Sequence, residues 1–215
     1  MCGRFTQTKT REEVLEQLHD IELPPLFHRR YNIAPTQRVA VIRQQAPAHA
    51  EESVWGFINP KSGAPVINAR AETLTERPMF KHLLYTQRCL IPADGFYEWK
   101  DRQPYYFQTL EKRLFAFAGL WSADRCVIIT RAADRNMQGL HDRMPVIIPP
   151  HQWNDWLLVP KDGKPRNSIV SLELPEVPEP LTARPVSKRV NKVSFDDPDC
   201  LAPGEIQTSL FPDQD

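Results

Sequence analysis

Short apolar and alternating runs recur along the whole chain, separated by prolines and polar turn residues. Runs of this length that are rich in β-branched and aromatic side chains are typical of strands. They cover residues 39–42, 53–57, 88–93, 96–100, 104–110, 114–121, 126–132 and 144–149. Their regular spacing predicts a strand-rich fold.

Three segments carry helix signals instead. Thr10 is followed three residues later by Glu13, which is the pattern of a capping box at the start of a helix. We expect this helix to end before Pro24, since proline interrupts a helix. Shorter helices are predicted at 79–84 and, after a Pro-Pro pair, at 151–158.

Many strands with few helices predict an α+β fold, in which curled sheets surround a core and the helices lie at the periphery. A chain of 215 residues is long enough to bury one substantial core. We therefore expect a single domain over residues 1–202. The polar and acidic end, residues 203–215, is expected to be a flexible tail.

The composition narrows the class of protein. Hydrophobic residues make up 41% and charged residues 25% of the chain, as in ordinary globular proteins, and no apolar run is long enough to cross a bilayer. The first residues lack the apolar stretch of a secretory signal, so we expect a cytoplasmic protein. We also expect a monomer without a membrane partner. The net charge is zero, so no global field favours nucleic acid.

The four cysteines are far apart and do not form a metal-binding or disulfide pattern. Cys89 and Cys126 lie in apolar segments and are expected to be small buried side chains. We predict no metal and no cofactor.

Cys2 differs from the other cysteines because of its position. An initiator methionine is normally removed before a small residue, so the mature chain would begin at Cys2 with an amine and a thiol on one carbon skeleton. The unperturbed pKa values of these groups, ~8 for the amine and ~8.5 for the thiol, leave part of each in its nucleophilic form at neutral pH. An aldehyde would condense with the amine to an imine, and the thiolate would then close a thiazolidine ring.

Five motifs occur in a fixed order: MCGRF at 1–5, RYNIAP at 30–35, VINARAET at 66–73, RCLIPADGFYEWK at 88–100 and LHDRMPVII at 140–148. Together they resemble the SRAP family, the SOS response-associated peptidases, also called abasic-site processing proteins. The resemblance covers roughly residues 1 to 200. It implies a covalent self-crosslink to abasic sites in single-stranded DNA, which shields the lesion during replication.

The resemblance also implies a catalytic set of Cys2, Asn68, Glu98 and His141. Glu98 would exchange protons with the amine and with the departing water. His141 would open the closed sugar by acting at the ring oxygen near neutral pH. Asn68 would hold the substrate hydroxyl or the backbone of Cys2.

DNA contacts are implied at further positions of the same motifs. Arginine binds phosphate oxygens with its planar fork, which suits Arg4, Arg70 and Arg143. The resemblance also places Asn32, Pro35 and Trp55 near the DNA, the first two as parts of the pocket wall. In one respect the chain departs from the family, since the stretch 55–61 lacks the second tryptophan of the pattern WG-x-x-P-x-W. Stacking on the lesion is then weaker or falls to another side chain.

Two alternatives remain open. A glutaminase with an N-terminal nucleophile also begins MCG, although the glutamine-binding residues of that class are not recognisable here. A passive adaptor for single-stranded DNA or for the replication clamp would leave Cys2 incidental. Proteolysis of other proteins is not expected, because removal of Met1 is the only cleavage that the sequence suggests.

The tail contains Gln207-Thr208-Ser209-Leu210-Phe211, which resembles the sliding-clamp-binding motif Q-x-[S/D]-L-F. In that motif Gln207 would bond at one subsite while Leu210 and Phe211 fill an apolar pocket. Clamp binding would raise the local concentration of the protein at stalled forks.

We expect a labelled peptide of this tail to bind the sliding clamp with micromolar affinity, because a short flexible segment must become ordered when it binds. Fluorescence polarisation measures this, with a Leu210→Ala, Phe211→Ala peptide as the control. Equal binding by the two peptides would show that the motif is only a resemblance.

Overall fold

The strands in the described part of the chain form two main sheets and one short two-stranded hairpin. The structure, a computed structural model, describes residues 2–17, 21–22, 28–43, 48–134, 137, 139–158 and 180–204. The strands of this part are β1 (Arg4–Gln7), β2 (Ile21–Glu22), β3 (Arg30–Ile33), β4 (Arg38–Arg43), β5 (Ala48–Trp55), β6 (Phe57–Ile58), β7 (Pro65–Val66), β8 (Asn68–Arg70), β9 (Arg88–Ala93), β10 (Gly95–Lys100), β11 (Gln103–Thr109), β12 (Phe115–Ser122), β13 (Arg125–Ala132), β14 (Arg143–Pro145), β15 (Ile147–Ile148) and β16 (Leu181–Pro185).

The helices are few, as predicted. They are α1 (Arg11–Gln17), α2 (Pro78–Thr86) and α3 (Trp153–Leu157), with 3₁₀ turns at Ala71–Thr73, Pro150–Gln152, Lys188–Asn191 and Pro198–Leu201. The capping box is present at the start of α1. The backbone N–H of Glu13 donates to Thr10 Oγ1 at 3.1 Å, and the backbone N–H of Thr10 donates to Glu13 Oε2 at 2.7 Å.

The larger sheet curls until it closes on itself. Its strands run β14-β13-β12-β9-β4-β5-β2, with β15 beside β12 and β8 beside β13. Strand β13 also pairs with β5, so that five strands form a ring. This closing contact is parallel and pairs Cys126 with Trp55. The second sheet has five strands in the order β16-β11-β10-β1-β3 and contains the amino-terminal strand.

Two predicted strands are interrupted. The run 53–57 breaks at Gly56, whose φ of +123° is unfavourable for residues with a side chain, so β5 ends before it and β6 begins after it. The run 144–149 is divided between β14 and β15, which pair with different neighbours. Periodicity alone does not reveal such breaks, because the apolar character continues through them.

The apolar side chains form a core on each side of the ring sheet. One core lies between the ring and the five-stranded sheet and contains Cys2, Phe5, Phe96 and Phe117. The other lies outside the ring, beneath α2 and α3. The predicted α+β fold with curled sheets and peripheral helices is therefore confirmed.

Two further observations concern the ends and the outside of the domain. The backbone N–H of Gly204 donates to Pro185 O at 3.2 Å, and Pro203 forms a bridge with Val186, so contacts with the domain extend to residue 204. Residues 207, 210 and 211 lie outside the described part of the chain, and the clamp hypothesis stays a prediction.

No helix in the described ranges is long and apolar enough to cross a membrane.

Candidate active site at the amino terminus

The first strand lies between β10 and β3 of the five-stranded sheet, and Cys2 comes two residues before its start. In β1, Arg4 pairs with Tyr97 and Phe5 pairs with Phe96 of β10. Because side chains alternate along a strand, Phe96 and Glu98 lie on the same face of β10. Cys2 precedes β1 and is not part of the strand. Its fully buried side chain lies in the same core as Phe5 and Phe96, where the charge of Glu98 acts on it.

Burial governs the protonation of the Cys2 thiol. Removal from water raises the pKa of this thiol well above its ordinary value, and the charge of Glu98 raises it further. The positive charge of the amino terminus and a hydrogen bond from the backbone of Arg4 act in the opposite direction. In the chain as it stands, with Met1 present, the thiol is held in its neutral form.

Glu98 is a carboxylic acid in an apolar setting, with only 3% of the residue exposed. Burial raises the pKa of Glu98 to about 7, although the amino terminus lowers it through its charge and a hydrogen bond. A carboxyl with this pKa is present in both protonation states at neutral pH. It can accept a proton in one step and return it in the next.

His141 lies opposite Glu98, with 3.7 Å between His141 Nε2 and Glu98 Oε2. On the other side of the ring, the backbone N–H of Arg143 donates to Nδ1 at 2.9 Å. Burial lowers the pKa of His141, and the charge of the amino terminus lowers it further. The ring is therefore neutral at pH 7, and its contacts with Glu98 and Asp142 are not ion pairs. The hydrogen bond from Arg143 favours a ring proton on Nε2, facing Glu98, whereas Asp142 Oδ1, at 3.0 Å from Nδ1, favours a proton on Nδ1.

Asn68 approaches Cys2 from the other sheet. It begins β8, which runs parallel to β13 with Asn68 beside Ile128. Its side-chain Nδ2 donates to the carbonyl oxygen of Cys2 at 2.9 Å. Its Oδ1 is buried and accepts no hydrogen bond from the described residues, so it remains available to a donor that enters the pocket.

The structure thus brings together the four predicted residues Cys2, Asn68, Glu98 and His141, which are dispersed over 140 positions of sequence. They come from both sheets and from the loop before β14. The positive charge of the amino terminus acts on three of them, since it lowers the pKa of Cys2, Glu98 and His141.

The three predicted phosphate-binding arginines differ in their surroundings. Arg4 Nη1 donates to Asn32 Oδ1 at 2.7 Å and to Val190 O at 2.6 Å. Arg143 donates to both carboxylate oxygens of Glu72, at 2.7 and 2.9 Å. Arg70 is exposed, and its guanidinium forms no hydrogen bond within the described ranges.

Asn32 lies in β3, and Pro35 lies in the turn that follows this strand. Asn32 is fully buried, and its Nδ2 donates to three backbone carbonyls of residues 190–195, the shortest at 2.7 Å to Phe195 O. Its side chain therefore holds that segment against β3. Pro35 is half-buried in the turn after β3. Their role as pocket wall stays a prediction.

Trp55 lies in the core. Its side chain is fully buried, its Nε1 donates to Ile67 O at 2.9 Å, and its ring meets Phe5 edge-on at 5.2 Å. In this conformation the indole has no face to offer a DNA base, and the contact predicted for it finds no support in the geometry.

Two residues near the site were not singled out from the sequence. Glu72 binds Arg143 and lies in the same motif as Asn68, which was the signal that could have identified it. Trp99 follows Glu98, donates Nε1 to Asn191 Oδ1 at 2.7 Å and lies 6.0 Å from the Arg4 guanidinium. Across the described ranges, no cluster of histidine, cysteine and acidic side chains is arranged to hold a metal ion.

The fold and the site define a protein of curled sheets with a buried cysteine at its amino terminus, flanked by a carboxyl, an imidazole and an amide. The chain belongs to the SRAP family, described as SOS response associated peptidase (SRAP), whose sequence profile matches residues 1–193. The resemblance that the five motifs indicated is confirmed.

Individual relatives agree with this assignment. The chain is similar to the abasic site processing protein YoqW of Bacillus subtilis, with 36% identity over 94% of this chain and 99% of the relative. It is also similar to the abasic site processing protein YedK of Escherichia coli, with 30% identity over 94% of this chain and 100% of the relative. A crystal structure of a protein from Bacteroides thetaiotaomicron has the same fold, with a TM-score of 0.78 at 19% identity over 95% of this chain and 100% of that chain.

Burial of Glu98 links the stability of the fold to pH. Because burial raises the pKa of this carboxyl from 4.5 to about 7, the folded chain keeps its proton in this range while the unfolded chain loses it. The stability due to the protonated form is complete below about pH 4.5 and is lost as the pH rises through 7. We expect the advantage of Glu98→Gln, which cannot ionise, to grow by up to about 3 kcal/mol between about pH 5 and pH 8. Urea unfolding at the two pH values measures this.

Glu72→Gln is a suitable control for this measurement. Its hydrogen bond to Arg143 lowers the pKa of Glu72, so this carboxyl is ionised in both folded and unfolded chains throughout that range. Its loss should therefore cost the same at both pH values. If the difference between Glu98→Gln and the parent protein were also constant, the raised pKa of Glu98 would be contradicted.

Proposed function

We propose that this protein recognises abasic sites in single-stranded DNA and links itself covalently to them through Cys2 after Met1 has been removed. The observation that carries the proposal is the convergence of Asn68, Glu98 and His141 on the cysteine at the amino terminus. The names of the relatives, abasic site processing proteins, support the same substrate.

The proposed reaction uses both nucleophiles of an amino-terminal cysteine. The amine of Cys2 adds to the aldehyde carbon of the opened sugar, and the carbinolamine loses water to give an imine. The thiol sulfur then bonds to the imine carbon while its proton passes to the nitrogen, which closes a thiazolidine. Aldehyde and aminothiol thus yield the ring and one water, and no oxidant or cofactor is required.

Glu98 is proposed to move protons in this sequence. Its carboxylate accepts a proton from the ammonium of Cys2, and its acid form returns one to the departing hydroxyl. The raised pKa of Glu98, about 7, makes both forms available at neutral pH. A carboxyl with an ordinary pKa would serve well as the base and poorly as the acid.

His141 is proposed to open the sugar. An abasic site exists mainly as a closed hemiacetal, and opening it requires a proton at the ring oxygen. With its proton on Nε2, on the side of Glu98, the neutral ring can donate that proton to the ring oxygen of the sugar. The anomeric hydroxyl loses its proton to the Glu98 carboxylate, which lies 3.7 Å from Nε2 and can pass the proton on to the imidazole.

Asn68 is proposed to orient Cys2 and the substrate. Its Nδ2 fixes the Cys2 carbonyl at 2.9 Å, which limits rotation of the residue that carries both nucleophiles. Its Oδ1 would accept a hydrogen bond from the substrate hydroxyl or from the new amine.

Removal of Met1 is a requirement of this scheme. While Met1 is attached, the nitrogen of Cys2 is an amide nitrogen, which does not condense with aldehydes. Cleavage of the Met1–Cys2 bond converts it to an amine beside the thiol, and we propose that this self-processing is the peptidase activity of the chain. The Schiff base could also support lyase-type strand cleavage.

We expect Cys2→Ala to abolish the denaturant-stable adduct with a single-stranded abasic oligonucleotide, because the thiol that traps the imine is missing. Cys2→Ser should retain an amine and give an imine that borohydride traps. Denaturing gel electrophoresis with and without borohydride measures both adducts. A full adduct from Cys2→Ala without borohydride would place the nucleophile elsewhere.

Controls in the same assay separate the alternatives. A lysine inserted between Met1 and Cys2, with Met1 retention checked by mass spectrometry, should be nearly as damaging, since it separates the amine from the thiol. A passive DNA adaptor would bind the strand without any adduct. A glutaminase would release ammonia from glutamine, which we expect not to occur.

DNA binding before the reaction is proposed to depend on phosphate contacts. The logarithm of the affinity should fall with the logarithm of salt concentration at a slope between about −0.7, for Arg70 alone, and about −2, for all three arginines at ~0.7 per contact. Arg70 is exposed and not engaged by the described residues, whereas Arg4 and Arg143 already bind protein acceptors. We expect Arg70→Ala to flatten the slope by about 0.7 and replacement of the other two to flatten it less. Binding titrations at several salt concentrations decide this, and a slope near zero for the parent protein would refute the phosphate contacts.

A further inference from the structure

A two-pronged ion pair joins the motif of Asn68 to the loop of His141. Glu72 lies in the 3₁₀ turn that follows β8, and its two carboxylate oxygens accept from Arg143 Nη1 at 2.7 Å and Nη2 at 2.9 Å. Arg143 Nη2 also donates to the carbonyl of Thr130 at 2.8 Å. The guanidinium is therefore fixed on two sides, and only 13% of the Arg143 side chain is exposed.

The carboxylate of Glu72 also holds the strand beside this loop. Its Oε1 accepts the backbone N–H of Ala132 at 3.2 Å. The next residue, Ala133, donates its N–H to the carbonyl of Asp142 at 3.0 Å, which closes the base of the loop that carries His141. One carboxylate therefore spans the turn after β8, the end of β13 and the first residue of β14.

The backbone of Arg143 is the part of this assembly that reaches the imidazole. Its N–H donates to His141 Nδ1 at 2.9 Å, which leaves the ring proton on Nε2. The competing partner of Nδ1 is Asp142 Oδ1 at 3.0 Å, on a side chain that is 87% exposed. A carboxylate at that distance favours a proton on Nδ1, so the tautomer depends on how firmly the Arg143 N–H is held in place.

We infer that Glu72 is a positioning residue for His141, which acts by clamping Arg143 so that the Arg143 backbone N–H keeps the imidazole proton on Nε2. The inference rests on the proposed function in one respect: that function assigns the Nε2 proton to the ring oxygen of the sugar. Among the described residues, charged and titratable groups that face His141 include Glu98, Asp142 and Arg143, and the charge of the amino terminus also lowers the pKa of His141.

The clamp also changes the role expected of Arg143. A guanidinium neutralised by a bidentate carboxylate has little charge left for a phosphate, and its fork is already occupied. The ion pair therefore favours a structural use of Arg143 in the free protein over the phosphate contact that the motif implied.

The test compares Glu72→Ala and Glu72→Gln with Glu76→Ala as the matched control. Glu76 is an exposed glutamate four positions further along, so its replacement changes the charge equally without touching the clamp. Arg143→Lys keeps the positive charge and loses the two-pronged geometry. The tautomer of His141 is read from its ring nitrogen signals by NMR in the DNA-free protein, with His141→Gln to assign them.

We expect the parent protein and Glu76→Ala to show a proton on Nε2, and Glu72→Ala and Arg143→Lys to show a shift of the proton towards Nδ1. Glu72→Gln, which keeps one acceptor, should be intermediate. The crosslinking rate with an abasic strand, measured at saturating protein, should fall about tenfold or more in Glu72→Ala. In a double variant, Glu72→Ala should add nothing to Arg143→Ala, because it acts through that residue.

An unchanged His141 tautomer in Glu72→Ala and Glu72→Gln would overturn the inference. So would a Glu72→Ala protein with the parent tautomer and tighter DNA binding, since Glu72 would then only mask a phosphate-binding arginine. A different outcome separates the two proposals. If the tautomer shifts as expected but neither the parent protein nor any variant crosslinks to DNA, the role of Glu72 stands and the proposed function is refuted. If Glu72→Ala unfolds, Glu72→Gln and Arg143→Lys carry the same comparison.

Discussion

The pairing of β1 between β10 and β3 is the constraint on which the rest of the site depends. A chain terminus usually frays, yet here the first strand has a neighbour on each side. The end of β1 is further held by Asp94, whose carboxylate accepts hydrogen bonds from Thr6 Oγ1, Thr8 and Lys9. Because the strand cannot shift along β10, residue 2 is kept beside Glu98. Chemistry at an amino terminus requires this kind of anchoring, since otherwise the nucleophile would spend most of its time elsewhere.

The same burial that holds the terminus also sets its chemistry. The core between the sheets is built from large aromatic side chains such as Phe5, Phe96 and Phe117, and little water reaches it. In that setting a carboxyl favours its neutral form, and the pKa of Glu98 rises to about 7. Burial therefore destabilises the ionised form of Glu98 in the folded protein, and the same burial provides an acid–base group suited to neutral pH. Active sites often combine these two effects.

Charge in this protein is used locally. With 27 lysine and arginine residues and 27 aspartate and glutamate residues, the chain has a formal net charge of zero. Much of the charge near the site is engaged in specific contacts. Arg4 ties β1 to Asn32 and Val190, and Arg143 ties the His141 loop to Glu72. Arg70 is left exposed at the end of β8. Recognition of DNA by such a protein would depend on a few placed cations and on the shape of the pocket more than on long-range attraction.

The sequence by itself determined the local features and the family. The capping box at Thr10 and Glu13, the apolar runs of β9 to β13 and the five ordered motifs could be recognised because each is encoded within a few neighbouring residues. Tertiary structure alone decided the ring closure of β13 on β5, the break of a predicted strand at Gly56, and the burial of Trp55. It also decided the pairing of Glu72 with Arg143, which are 71 positions apart. Periodicity reports which face of a strand is apolar and carries no information about which distant strand or side chain will meet it, because that choice is made by the packing of the whole chain.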